Sequence, residues 1–184
     1  MEIILIRHGK PTAAVNPKLT AVGFAKWVKN YNQAYVAEHS CPPFDLKAQI
    51  DQHFLISSDL KRAIQSAEIC TGQLPQQQIK LLREMDIPRY KFPFVLKAYT
   101  WLVLNRFLWM LGAKGKMESF KEAKERVEAA TEQLIEIALL HNKIVVFGHG
   151  YTNRYIRIAL KKRGWVIQTK DNKFWGKTCC IKLP

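Results

Sequence analysis

Short apolar segments that end abruptly in polar residues constrain the fold of this chain more than any other feature. Residues 3–6, 54–56 and 144–147 are apolar, and they are followed by R-H-G, S-S-D and G-H-G respectively. Short apolar runs bounded by turn residues predict strands that are buried on both faces of a sheet. We therefore expect a mostly parallel sheet, with these polar residues together at the edge where its strands end.

Helical patterns lie between these segments. They predict helices from about Thr20 into the thirties, from a cap at Ser57 or Ser58 through about Cys70, over about 94–111, from near Glu118, and from about Tyr151 to Gly164. Residues 79–82 and 178–183 are further candidate strands. Strands that alternate with helices indicate an α/β fold whose sheet is covered on both faces. The sequence has no repeat, low-complexity tract or linker, so we expect one domain over residues 1–184.

The net charge of +14 is the one unusual bulk property of the 184 residues. A basic surface attracts anions, which include phosphorylated metabolites, nucleic acid and acidic membrane surfaces. No apolar stretch reaches the roughly 20 residues that cross a bilayer, and the first apolar run is too short for a secretory signal. We expect a cytoplasmic protein whose four cysteines are reduced and mostly buried, with no zinc site.

Two histidines and one arginine lie where the predicted strands bring them to one edge of the sheet. His8 leaves the first strand beside Arg7, and His149 precedes a helix whose N-terminus favours a phosphate. Arg62 lies in a first helical turn, from which its side chain points back toward the strand ends. A neutral imidazole is a nucleophile near pH 7, and a guanidinium attracts the anionic group to be attacked. These residues predict a site that acts on a phosphate group.

Four segments, in order along the chain, resemble the signatures of the histidine phosphatase superfamily, the phosphoglycerate mutase-like group. They are I-L-I-R-H-G-K at 4–10, S-S-D-L-K-R-A-I-Q-S-A-E-I at 57–69, L-L-R-E-M-D-I-P at 81–88 and V-V-F-G-H-G at 145–150. Residues 19–23 and 118–126 resemble secondary signatures of its phosphatase branch. The similarity spans residues 3 to about 160 and implies a three-layer α/β/α sandwich.

The resemblance also implies roles for the matching residues. His8 accepts the phosphoryl group, and Arg7, Arg62 and His149 hold its oxygens, so that His149 is catalytic together with His8. Glu84 is the proton donor to the leaving group. Asp86 is the alternative acid, because both carboxylates face the same way on an extended segment and the sequence does not choose between them. Such a reaction needs no cofactor and no metal, since positioning and charge stabilisation carry most of phosphoryl transfer.

Three positions depart from the family pattern and leave the substrate open. Lys10 stands where an acidic or short polar residue is frequent, Gly148 stands where serine is frequent, and Ala14 replaces an asparagine of mutase-like members. The length is similar to that of the compact phosphatase branch, and we expect residues 88–115 to form a lid or cap over the pocket. The aromatic side chains of this segment either line the pocket or belong to the core. The remaining histidines, at 39, 53 and 141, are assigned no role.

We therefore expect a phosphatase that acts on a small phosphorylated, anionic substrate through a phosphohistidine intermediate at His8. A mutase stays open as an alternative, and it would return an isomer and little free phosphate. A protein phosphohistidine phosphatase also stays open, and it would act on a phosphohistidine protein but not on small esters. A basic module that binds nucleic acid or an anionic membrane is disfavoured, since no nucleic-acid-binding signature is visible. The sequence leaves the oligomeric state open.

Overall fold

The computed structural model describes residues 1–183, which form eight strands and six α-helices. The strands are β1 (Glu2–Arg7), β2 (Lys18–Leu19), β3 (Phe54–Ser57), β4 (Gln77–Gln78), β5 (Leu96–Lys97), β6 (Lys143–Gly148), β7 (Val166–Lys170) and β8 (Lys177–Ile181). The helices are α1 (Ala21–Gln33), α2 (Leu46–Ile50), α3 (Lys61–Thr71), α4 (Ala98–Met110), α5 (Phe120–His141) and α6 (Gly150–Lys162). Within this described part, no helix is both long and apolar enough to cross a membrane.

Six strands form the central sheet in the order β4-β3-β6-β1-β8-β7. The strands β4, β3, β6 and β1 run parallel, whereas β8 and β7 are antiparallel additions beyond β1. The mostly parallel sheet expected from the sequence is confirmed. The strands β2 and β5 form a separate two-stranded sheet, which the sequence patterns did not predict.

Alternate side chains of the central strands pack on opposite faces of the sheet. Ile3 of β1 packs in a cluster with α5 and α6, whereas the next residue, Ile4, packs with α2 and α3. The same alternation places Cys180 in the first cluster and Cys179 in the second, as expected for neighbours on a strand. Helices on both faces of the sheet make a three-layer α/β/α sandwich, which confirms the predicted fold class.

The longest helix, α5, begins where its sequence signals predict. The Ser119 hydroxyl accepts a hydrogen bond from the Glu122 N–H, and the Glu122 carboxylate accepts one from the Ser119 N–H. This capping box satisfies two N–H groups that have no partner inside the helix. Small and aliphatic residues at helical spacing, from Ala123 to Ile137, form the buried face that packs on the sheet.

The helices α1 and α4 pack on each other through a third apolar cluster, separate from the two that flank the sheet. This cluster contains Phe24, Trp27 and Val28 of α1 and Ala98 and Trp101 of α4. We refer to the two helices and their shared cluster as the α1–α4 lobe. The helix α4 of this lobe lies within the segment 88–115 that the sequence suggested as a lid or cap.

Two local predictions were wrong. Residues 79–82 do not form a strand: β4 is confined to Gln77–Gln78, and a 3-10 helix follows at Lys80–Leu82. The helix α3 begins after Leu60, and neither Ser57 nor Ser58 caps it through a side-chain hydrogen bond. Instead, the Ser58 hydroxyl is used at the end of the sheet, where it lies beside His149.

Candidate active site

His8 lies just past the end of β1 and is almost completely buried, with 1% of its surface exposed. Its Nδ1 atom is 2.7 Å from the carbonyl oxygen of Gly9. Because a carbonyl oxygen only accepts hydrogen bonds, Nδ1 carries the proton and Nε2 carries the lone pair. The Nε2 atom lies 3.2 Å from Nε of Arg62. The structure thus presents an oriented imidazole whose unprotonated nitrogen accepts a hydrogen bond from a guanidinium.

The turn after His8 requires a glycine. A Cβ atom on Gly9 would lie 2.5 Å from a ring carbon of Trp175 and 2.8 Å from a methyl group of Val36. The Gly9 N–H donates to the Ser66 hydroxyl at 2.9 Å, and that hydroxyl donates to the carbonyl oxygen of Arg62 at 2.6 Å. Ser66 therefore connects the turn after β1 to the helix that carries Arg62, although the sequence motifs gave it no role.

Arg62 is buried in the first turn of α3 and reaches back to the ends of the strands, as its place in the sequence predicted. Its Nη1 atom donates to the carbonyl oxygens of Tyr31 and Asn32 at 3.1 and 3.2 Å. The end of α1 therefore orients the guanidinium whose Nε atom donates to His8.

His149 is the residue before the first turn of α6, and its imidazole is fully buried. Its Nε2 atom lies 2.8 Å from the Ser58 hydroxyl, and its ring centroid lies 5.1 Å from that of His8. Burial, reinforced by the positive charge of Arg62, lowers the pKa of both histidines well below 6.5. Both imidazoles are therefore neutral at pH 7, and the Nε2 lone pair of His8 accepts the hydrogen bond from Nε of Arg62.

Arg7 is held by the connection between β7 and β8. Its Nη1 atom donates to the carbonyl oxygen of Asn172 at 2.9 Å, and its guanidinium carbon lies 4.1 Å from the ring centroid of Phe174. The same aromatic ring lies 5.8 Å from the His8 ring. The sequence analysis missed Asn172 and Phe174, because they lie beyond the segments with recognisable motifs and their antiparallel hairpin was not predicted.

Glu84 follows the 3-10 helix and contacts the N-terminus of α6. Its carboxylate accepts hydrogen bonds from the N–H groups of Tyr151, at 3.1 and 3.2 Å, and Thr152, at 3.0 Å. A helix N-terminus favours negative charge, and here it binds a carboxylate where the sequence suggested a phosphate. Asp86 instead accepts its neighbouring Ile87 N–H and lies 3.9 Å from Arg89.

A cavity of about 450 Å³ opens beside these residues, and both Arg7 and Glu84 line it, whereas Asp86 does not. The cavity is also lined by side chains of the α1–α4 lobe and of α6, among them Trp27, Tyr31, Tyr99, Leu102, Arg106 and Arg154. His8, Arg62 and His149 lie below its surface, since each is at most 1% exposed. Of the aromatic residues considered for the pocket, Tyr99 lines it, whereas Trp101 and Trp109 are core residues.

Two arginines in this cavity were not singled out by the sequence analysis. Arg106 of α4 is 3% exposed, and its guanidinium lies between the rings of Trp109 and Tyr151, with its carbon 4.8 and 4.5 Å from their centroids. One of its nitrogens donates to the Met85 carbonyl oxygen. Arg154 of α6 is exposed. Neither stands in a recognisable motif, so only the fold could place them at the cavity.

Comparison with protein families assigns the chain to a class. A family model of the histidine phosphatase superfamily (branch 1) matches residues 3–165, and the chain belongs to this superfamily. The family resemblance seen in the sequence is thereby confirmed. A comparison with curated proteins finds no match.

Solved structures of similar fold include several phosphatases. A phosphoserine phosphatase mutant from Entamoeba histolytica, in complex with phosphoserine, superposes with a TM-score of 0.61 at 15% identity, over 97% of this chain and 89% of that one. The open reading frame Rv3214 of Mycobacterium tuberculosis gives 0.61 at 16% identity, over 86% and 79%. An alpha-ribazole phosphatase from Shigella flexneri gives 0.53 at 22% identity, over 87% and 79%. These similarities establish the fold and leave the substrate undetermined.

Proposed function

We propose that this protein is a phosphatase that hydrolyses a small phosphomonoester through a phosphohistidine intermediate at His8. The observation that carries the proposal is the state of the His8 ring: neutral, protonated on Nδ1, and with its Nε2 lone pair 3.2 Å from the Arg62 guanidinium. A neutral imidazole beside cationic groups is suited to attack an anionic phosphoryl group.

In the first step, the hydrogen bond that the Nε–H of Arg62 donates is transferred from Nε2 of His8 to a phosphoryl oxygen, the Nε2 lone pair attacks phosphorus, and the bond to the ester oxygen breaks. Glu84 enters this step as the carboxylic acid, gives its proton to the leaving oxygen and becomes a carboxylate. Glu84 supports this role better than Asp86, because Glu84 lines the cavity together with Arg7, and two N–H groups of α6 stabilise the carboxylate that remains after proton transfer. Asp86 lines only a neighbouring cleft, which Glu84 also borders.

In the second step, water attacks phosphorus and the bond between phosphorus and Nε2 breaks, which releases inorganic phosphate. The Glu84 carboxylate takes the proton from this water, so the acid of the first step is regenerated. The histidine also returns to its neutral form. The protons and charges of both steps balance with groups of the chain, so the proposed steps require no cofactor or metal.

Arg7, Arg62 and His149 would hold the phosphoryl oxygens. Within residues 1–183, the buried atoms Nε of Arg7, Nη2 of Arg62 and Nδ1 of His149 have no hydrogen-bond partner. A buried polar group without a partner costs about 1–3 kcal/mol, so these groups are arranged to be satisfied by an incoming anion. Each such donor contributes roughly 10²–10³ in rate where it binds charge that develops in the transition state.

The remainder of the cavity supports a substrate whose body is also anionic. Arg106 and Arg154 line the cavity in addition to Arg7, and the other walls are largely aromatic and aliphatic. A second carboxylate or phosphate group on the substrate would satisfy these cations. The α1–α4 lobe supplies Arg106 and several of the apolar side chains of this wall, and we propose that the segment 88–115 acts as the cap of a single domain.

Trapping of the phosphoenzyme tests the mechanism. The protein is mixed with p-nitrophenyl phosphate in the presence of a chelator, quenched, and examined for a phosphorylated residue that is acid-labile and base-stable. We expect phosphate on His8 and loss of both labelling and turnover in His8→Ala. The control His39→Ala, at an exposed position, should keep the labelling and turnover of the wild type. Comparable turnover in His8→Ala would contradict the proposal. Conversion of a substrate to its isomer with little free phosphate would identify the mutase alternative instead.

A further inference from the structure

Exposed apolar side chains are concentrated on α4 and on the residues that adjoin its two ends. Of the eighteen large hydrophobic residues exposed within residues 1–183, seven lie between positions 94 and 111. They are Phe94, Val95, Tyr99, Val103, Phe107, Met110 and Leu111. Scattered single apolar residues are normal on a protein surface, but a contiguous group marks an interaction surface.

The spacing of these residues makes one continuous stripe. Val103, Phe107 and Leu111 follow each other at intervals of four, so they lie along one side of the helix. Their exposed fractions are 69%, 54% and 70%, whereas Trp101 and Trp109 on the opposite side are buried in the core. The helix is therefore apolar on its outer face as well as on its inner one, and the folded chain leaves the outer face uncovered.

The segment that carries the stripe contains basic but no acidic residues. Residues 87–117 contain no Asp or Glu but six cations: Arg89, Lys91, Lys97, Arg106, Lys114 and Lys116. All of these except Arg106 are exposed. The helix α1, which packs on α4 in the same lobe, adds Lys26 and Lys29 and also contains no acidic residue. An apolar stripe with a cationic border has the character of a helix that lies on an anionic lipid surface.

We propose that the outer face of α4, formed by Val103, Phe107, Met110 and Leu111, docks the protein on an anionic membrane surface. The apolar side chains would enter the boundary between headgroups and acyl chains, and the lysines on either side of the helix would contact acidic headgroups. A second copy of this chain fits the surface less well, because it would bring two borders of the same sign together in a protein of net charge +14.

Docking would also bring the candidate active site to the bilayer. Leu102 and Arg106 of the same helix line the cavity, and Tyr99 lies at the border between the cavity and the docking face. The proposal rests on the exposure and charge of this face alone. It stands or falls independently of the proposed phosphatase activity.

Vesicle binding tests the proposal. The full chain is sedimented with phosphatidylcholine vesicles that contain about 30% phosphatidylserine, and in parallel with vesicles of phosphatidylcholine alone. The test variant is Val103→Asn/Phe107→Asn. Its matched control is Leu139→Asn/Leu140→Asn on α5, where the two leucines are exposed by 65% and 81%. All four positions are exposed, and circular dichroism melting verifies that each variant folds.

We expect binding to the vesicles with phosphatidylserine that falls at least about tenfold in the α4 variant and is unchanged in the α5 control. Replacement of Lys114 and Lys116 by glutamine should lower the affinity for these vesicles by about fivefold for each lysine. Replacement of Lys161 and Lys162 should lower it less. Three results would overturn the proposal: no binding to either vesicle, equal losses for matched variants on the two faces, or sedimentation equilibrium showing a dimer that the α4 variant dissociates.

Discussion

Replacement of Glu84 by glutamine separates its chemical role from its structural one. The carboxylate accepts the N–H groups of Tyr151 and Thr152. An amide of the same shape keeps one oxygen for these donors but has no acidic proton to give. The lost negative charge at the N-terminus of α6 costs about 0.3–1 kcal/mol. We therefore expect Glu84→Gln to fold, with a free energy of unfolding lower by about 1 kcal/mol, as measured in urea.

The expected loss of activity depends on the leaving group. An alkyl phosphate releases a poor leaving group that needs a proton, so its turnover should fall by about 10²–10⁴ in Glu84→Gln. Nitrophenolate leaves without a proton, and stopped-flow spectroscopy should therefore show a fast burst of p-nitrophenol. A slow steady state should follow the burst, because water attack on phosphohistidine has lost its general base.

Asp86→Asn is the matched control for this experiment. The Asp86 carboxylate does not line the cavity, and it accepts its neighbouring backbone N–H. We expect the control to retain turnover on both substrates. The reasoning would be refuted if Asp86→Asn showed the burst and the leaving-group dependence. It would also be refuted if Glu84→Gln lost the p-nitrophenol burst while retaining its fold.

Three further predictions concern the coupling of the site to the fold and to the substrate. Ser66→Ala leaves the buried Gly9 N–H without a partner, and urea denaturation should show a loss of about 1–3 kcal/mol; an unchanged midpoint would contradict the connection between β1 and α3. Because burial lowers the pKa of His8 and His149, the unfolded chain binds more protons below about pH 6.5. The stability that the two histidines contribute is complete above that pH and decreases as the pH falls, by up to about 1.4 kcal/mol per pH unit for each histidine. His8→Asn should therefore reduce the slope of the free energy of unfolding against pH, as measured by urea denaturation. Arg154→Gln should lower kcat/KM more for phosphate esters with a second anionic group than for esters without one. An equal effect on both kinds of ester would argue against an anionic substrate, as would highest wild-type turnover on an ester without a second charge.

The sequence by itself determined the parallel part of the central sheet. Apolar runs that end in R-H-G and G-H-G predicted parallel strands, because burial of a strand on both faces leaves a pattern in local composition. The position of Arg62 in a first helical turn also predicted that its side chain would reach back to His8. Both predictions rest on local rules, since the direction of a strand or a helical side chain depends on its immediate neighbours in the chain.

The tertiary structure decided which partners the polar side chains near the ends of these strands and helices contact. The sequence left Glu84 and Asp86 equivalent, and only the packing of α6 against the loop that carries them distinguishes the two carboxylates. The same holds for the Ser58 hydroxyl, which looked like a helix cap but lies beside His149. Such polar groups have several possible partners, and the one that a folded chain uses depends on which distant segments it brings within about 3 Å.

The cavity wall and the outer face of α4 were likewise decided by the fold. In a sequence, an apolar stretch with aromatic residues is equally consistent with the core and with the lining of a pocket. In the structure, Trp101 is buried, Tyr99 lines the cavity, and Val103 and Phe107 face outward. The connection that holds Arg7 lies in the antiparallel hairpin of β7 and β8. The strand β8 pairs with β1, although almost the whole sequence separates the two strands. Long-range pairing of this kind leaves no periodic signal in local sequence, so only the assembled sheet establishes it.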